Sequence, residues 1–134
     1  MPNGGPQLDG KNERFMIRDF DLIRSVLFQV EQAPAGEPLM SLQIDAGMDP
    51  AVLGEHLEIM IGQNLIEGEV ISLKPLAFLI HRLTWQGHDF LEHARNDTIW
   101  KKVMAEAKSK GVSMTVVILN GLLSKAAEKY AGLE

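Results

Sequence analysis

The chain is expected to fold as a mostly helical α+β domain, and three observations predict it. Apolar residues recur at intervals of three and four in several separate segments, the pattern of amphipathic helices. Two neighbouring apolar segments, Leu65–Leu73 and Phe78–Leu83, read as strands around a Lys74-Pro75-Leu76-Ala77 turn, hence as a β-hairpin. The 134 residues suit one domain with a real core, and 46% hydrophobic against 23% charged residues is an ordinary globular balance.

Residues 1–15 are rich in Gly, Pro, Asn and Gln without periodicity and are expected to be a disordered tail, the domain running over residues 16–134. The first helix is predicted over Asp19–Gln32, with Phe20, Ile23, Leu27 and Val30 on one face and Ala33-Pro-Ala-Gly-Glu-Pro38 ending it. Leu39–Ile44 is expected to be a short strand with Leu42 and Ile44 on one face. Asp49-Pro50 opens a second helix, Asp as N-cap and Pro in the first position, and Leu53, Leu57, Met60 and Ile61 follow at helical spacing. Asn64 stands where a left-handed residue is needed to end it. After the hairpin, Thr84 caps a helix reaching Arg95, with Gly87, Phe90, Leu91 and Ala94 inward. Asn96 or Asp97 caps the next, with Trp100, Val103, Met104 and Ala107 inward and Gly111 as its stop. Ser113 is expected to start the last helix, where Val116, Leu119, Leu123, Ala126 and Tyr130 share a stripe that Val117, Ile118 and Leu122 widen. A surface that broad on a terminal helix suggests burial on more than one side.

Helix, strand, helix, two-strand hairpin and further helices is the order of a winged helix-turn-helix-like domain, the hairpin being its wing, with additional C-terminal helices. The segments Arg18-Asp-Phe-Asp-Leu-Ile-Arg24, Glu55-His-Leu-Glu-Ile-Met60 and Arg82-Leu-Thr-Trp-Gln-Gly-His-Asp-Phe-Leu91, followed by Arg95 and Trp100, resemble the bacterial and prophage-associated family known as domain of unknown function 2513. One departure is Gln63-Asn64, where Ala-Gly before Leu-Ile is usual; Asn can adopt the glycine's backbone conformation. The resemblance implies a winged-helix-like fold and a prophage or mobile-element setting, and it brings no activity and no site residues.

Charge is unevenly spread. From Ser25 to Leu73 there is no Lys or Arg but eight acids; from Lys74 onward nine basic residues face six acids. In a winged helix the element before the wing usually enters the DNA major groove. Here that element offers Glu55, His56, Glu58 and Gln63 and no cation, a poor match for phosphates. A candidate acidic interaction face therefore comprises Asp49, Glu55, Glu58, Glu67 and Glu69. The competing nucleic-acid reading uses Lys74, His81 and Arg82 on the wing with Lys101, Lys102 and Lys108 on a later helix.

No enzyme chemistry converges. There is no cysteine, hence no thiolate nucleophile or ligand, and no Gly-x-Ser-x-Gly, phosphate-binding Gly-rich loop or His-Glu-x-x-His motif. His88 and His93 are five apart and do not share a helix face. The four histidines are read as structural or surface residues, the pairs His88/Glu92 and Asp89/His93 as exposed neighbours, and Trp85 and Trp100 as core. No cofactor is expected. The absence of a secretory leader pattern and of a ~20-residue apolar span points to a cytoplasmic protein off the membrane. The expectation is a non-enzymatic regulatory protein–protein interaction module, a homodimer through its last helix; the alternative is a DNA-binding transcriptional regulator.

Overall fold

A computed structural model describes residues 16–111 and 114–131. The expected tail over residues 1–15 and the Ser113 cap lie outside them, as does the side chain of Tyr130. Among the described residues are five helices and one two-stranded antiparallel hairpin: α1 (Phe20–Glu31), α2 (Pro50–Gly62), β1 (Ile66–Leu73), β2 (Leu76–Leu83), α3 (Trp85–Ala94), α4 (Asp97–Ser109) and α5 (Val116–Ala131). The fold is thus α+β and mostly helical. It divides into two compact units that meet in sequence after Gly87.

In the first unit, α1 starts where the Asp19 carboxylate accepts the Leu22 N–H at 3.1 Å, and α2 where Asp49 accepts from Ala51 at 2.9 Å. The expected inner residues of α1, Phe20, Ile23, Leu27 and Val30, are all buried. α2 buries more of its circumference, through Val52, Leu53, Gly54, His56, Leu57 and Met60. It packs on both strands and on α1, while α1 also packs on β2. Gly54 permits this approach, since a Cβ there would lie 2.6 Å from Leu73 Cδ2 and 2.8 Å from Leu76 Cδ1.

α2 ends as its sequence predicts. Asn64 has φ 60°, its N–H donates to Ile61 O at 3.0 Å, and the Leu65 N–H donates to Met60 O at 2.9 Å. This is a complete Schellman motif, with Leu65 and Met60 both buried beside it. The chain enters β1 directly.

The hairpin pairs Ile66 with Leu83 at its base and Leu73 with Leu76 at its tip. The tip is therefore only Lys74-Pro75, joined by a cis peptide, and not the four residues expected. Irregularities in register at Glu67/Gly68 and Val70/Ser72 leave His81 of β2 and Ile71 of β1 as extra residues, and both are exposed. Ile66, Phe78, Ile80 and Leu83 form the buried face.

The expected strand over Leu39–Ile44 shrinks to one bridge. Leu39 and Ile80 exchange hydrogen bonds of 2.8 and 3.0 Å, after which a side chain replaces the strand partner. Gln29 Oε1 accepts the Gln43 N–H at 2.8 Å and Gln29 Nε2 donates to Gln43 O at 3.0 Å, holding the segment against α1.

α3 begins at Thr84. Its N–H donates to Leu65 O at 3.0 Å and its hydroxyl donates to Asn64 O at 2.5 Å, while the Gly87 N–H donates to that hydroxyl at 2.9 Å. A Cβ at Gly87 would overlap the Leu65 carbonyl oxygen. Trp85 is 81% exposed and not core, because Gly87, Phe90, Leu91 and Ala94 share the opposite side of the helix.

In the second unit, Asn96 caps α4 by accepting from Ile99 at 2.9 Å, and Gly111 closes it with φ 65°. α5 starts at Val116, later than the start expected at Ser113, with Thr115 Oγ1 accepting from Ile118 at 3.1 Å. Trp100 is buried and meets Phe90 edge-on with ring centroids 6.4 Å apart. α4 packs on α5, which buries Leu119 and Leu123 and leaves Val117, Ile118 and Leu122 exposed. The buried stripe of α5 is narrower than its sequence suggests.

Two glycine substitutions separate fit from propensity. Gly87→Ala is expected to destabilise the protein by about 2 kcal/mol or more, as the backbone carbonyl of Leu65 must move. Gly121→Ala, with open space at its Cβ inside α5, is expected to stabilise by up to about 1 kcal/mol. Urea unfolding followed by circular dichroism measures both.

Candidate functional site

The acidic candidates do not stand as one row. Asp49 is engaged as the cap of α2, and with the half-buried Glu55 it lines a shallow hollow together with Lys74, Leu73 and Met16. Glu58 is exposed on α2. Glu67 and Glu69 lie exposed on β1, alternating with the half-buried Gly68, and Glu67 is ion-paired with Arg82 directly across the hairpin. An exposed pair of this kind contributes about 0–1 kcal/mol. A further hollow, lined by Asp19, Asp21 and Asp45 with Ser25 and Gln29, adds carboxylates that the sequence reading did not single out. Only Asp45 belongs to the cation-free stretch that begins at Ser25; Asp19 and Asp21 precede it and join it through the packing of the Gln43 segment on α1.

The basic candidates are also divided. Lys74 borders Asp49 and Glu55, and Arg82 is held by Glu67. His81 is exposed. Lys101 pairs with Asp97 at 3.0 Å within α4, and Lys108 is exposed. Lys102 instead joins Lys110, Lys125 and Lys129 around a cleft of about 260 Å³ between α4 and α5, floored by Val103, Ala107, Leu122 and Ala126 with Glu106 at its side. Sequence reading places Lys110 in the same basic run as Lys102 but misses Lys125 and Lys129. Lys102 and Lys110 are eight apart and Lys125 and Lys129 four apart, so each pair follows one helix stripe, but only packing sets the stripes face to face.

The histidines serve the scaffold or the surface. His56, fully buried, accepts the Asp19 N–H at Nε2 (2.9 Å), and its Nδ1 lies 2.9 Å from Val52 O. Since an amide can only donate, the ring carries its proton on Nδ1 and gives it to Val52. This removes His56 from any surface that α2 could present. His93 Nδ1 lies 2.7 Å from Asn120 Oδ1 of α5, and Glu92 pairs with Arg95 at 3.2 Å, so neither makes the helix pair expected of it. Among the described residues, no group of three His, Asp or Glu side chains could hold a metal ion. No helix among them is long and apolar enough to cross a membrane.

The segments that carried the family resemblance meet in this framework: Asp19 with His56, and Thr84 with Gly87 and the end of α2. A family model described as "Hypothetical protein (DUF2513)" matches residues 17–113. The chain belongs to this family. An uncharacterised protein of Haemophilus influenzae is 31% identical to it over 102 residues, which cover 75% of this chain and 86% of the relative. No solved structure matches the chain. Within the DUF2513 match lie α1, α2, the hairpin, α3 and α4; α5, with Lys125 and Lys129, lies beyond it.

His56→Leu leaves the half-buried Asp19 N–H without its His56 acceptor. It is expected to cost about 1–3 kcal/mol in urea unfolding while the far-ultraviolet spectrum of the folded state stays unchanged.

Proposed function

We propose that this DUF2513 protein is a non-enzymatic regulatory module, built on a winged-helix scaffold, that binds a basic protein partner through its first unit. Its setting is proposed to be a prophage or other mobile element, as the family resemblance implies. The element order supports the scaffold: α1, the Leu39 segment bridged to β2, α2, a hairpin in the place of the wing, then α3. A winged-helix scaffold does not oblige a protein to bind DNA.

The observation that carries the reading is the surface of α2. Of its thirteen residues only Pro50, Glu58 and Gly62 are exposed, and none is Lys or Arg. A helix that spends its circumference on α1 and the hairpin has little left to lay in a groove, and the one charge it exposes repels phosphate. From residue 16 to Gly87 the unit carries ten acids against four basic residues. The same unit leaves four large apolar side chains exposed, Met16, Met40, Ile71 at 62% and Trp85. Tryptophan is the residue type most often found to dominate protein interfaces. An acidic rim with an aromatic anchor suits a basic protein surface.

The same reading includes self-association along α5 through Val117, which is 77% exposed and outside the α4–α5 cleft. Light scattering is expected to give about twice the chain mass of 14.9 kDa, reduced to the monomer in Val117→Glu. A concentration-independent monomer in the unaltered protein removes the dimer from the proposal.

Fluorescence anisotropy with mixed duplex fragments decides between a protein and a DNA target. Binding weaker than about 10⁻⁴ M at physiological salt is the expected result, at or below ordinary non-specific affinity. Micromolar binding with a steep salt dependence, lost in Lys74→Ala/Arg82→Ala, overturns the proposal in favour of the transcriptional regulator.

A further inference from the structure

The α4–α5 cleft has a different sign and a different chemistry from the surface discussed above. We propose that it is a docking groove for an acidic amphipathic helix of a partner protein. The inference goes beyond the first-unit reading and does not rest on it.

Three properties of the cleft point to this occupant. Its floor is aliphatic, made by Val103, Ala107, Leu122 and Ala126, and Ile118, one turn before Leu122 and also exposed, extends the apolar stripe along α5. Its rims are lysines on both sides, Lys102 and Lys110 from α4 and Lys125 and Lys129 from α5, within a span from Asp97 to Ala131 where six lysines stand against three acids. Lys102 to Lys110 covers two helical turns, about 12 Å at 1.5 Å per residue, enough to follow two turns of a docked helix. A helix with leucine-like residues at i, i+3 or i+4 and i+7, flanked by Glu or Asp, satisfies floor and rims together, the helix-in-groove mode of recognition.

Size and polarity argue against other ligands. At about 260 Å³ the cleft lies at the small end of the roughly 300–1,000 Å³ of small-molecule pockets, a size that suits two or three anchoring side chains. A nucleic acid backbone gains nothing from Val103 or Leu122 and meets the Glu106 carboxylate in the same wall. Single-strand binders place aromatic rings in their grooves for base stacking, and among the described residues none lines this cleft.

The test uses the full chain and a fluorescein-labelled synthetic peptide of about four helical turns, with leucines on one face and glutamates beside them. A scrambled peptide of equal composition spreads its leucines around the helix. The ordered peptide is expected to bind at least about tenfold tighter than the scrambled one. Lys110→Glu/Lys125→Glu and, separately, Leu122→Glu are expected to weaken that binding at least about tenfold, whereas Lys108→Glu, exposed and outside the cleft, leaves it unchanged. Circular dichroism confirms that the variants keep their helix content; should Leu122→Glu lose it, the lysine pair decides alone. The proposal is overturned by no peptide binding, by equal binding of the scrambled peptide, or by tighter binding of a single-stranded oligonucleotide. It is likewise overturned if the lysine pair disrupts self-association in light scattering, which would assign the cleft to a second copy.

Discussion

One small cluster of hydrogen bonds governs the first unit: the meeting of Asn64, Leu65, Thr84 and Gly87. The left-handed turn at Asn64 stops α2 and delivers the chain into β1 without a loop. The Thr84 hydroxyl then donates to Asn64 O and accepts from the Gly87 amide, so the end of one helix, the base of the hairpin and the start of the next helix share one side chain. The Gly87 position has no room for a Cβ, because the Leu65 carbonyl occupies that space. Buried backbone groups left without partners are costly, and here each is satisfied by a neighbour only a few residues from a chain reversal. His56 does the same on the other side of α2, where its ring receives the first amide of the α1 cap.

These constraints explain what surface is left for function. α2 is committed to packing: apolar around most of its circumference, opened by Gly54 to the hairpin, and tied by His56 to α1. The exposed apolar side chains of the first unit are therefore elsewhere, among them Met40 before α2, Ile71 on the hairpin and Trp85 at the first residue of α3. The bulges matter because an extra residue in a strand projects out of the regular alternation, which is how Ile71 and His81 come to face solvent. The second unit presents lysines over an aliphatic floor. The first unit thus carries mostly carboxylates and the α4–α5 cleft mostly lysines.

Much of the fold was legible in local sequence. Asp49-Pro50, Asn64, Thr84 and Gly111 mark helix ends through their own backbone chemistry, which acts within a few residues, and each stands where its chemistry places it. The Leu39–Ile44 strand was misread because its alternation looks the same whether a strand or a glutamine side chain completes its hydrogen bonds, and Gln29 lies ten residues earlier on another element. Trp85 was misread by residue type alone, although its spacing from Gly87, Phe90, Leu91 and Ala94 puts it on the solvent side.

By itself the sequence determined the ends of the first four helices, the hairpin, the uneven charge and the resemblance to DUF2513, because periodicity, capping and composition are properties of neighbouring residues. Tertiary structure alone decided which charges are spent and which are grouped. Glu67 meets Arg82 only through strand register, His56 meets Asp19 only through the packing of α2 on α1, and Lys102 and Lys110 meet Lys125 and Lys129 only because α4 lies against α5. Those encounters join residues 15 to 37 positions apart in the chain, beyond the reach of any local rule.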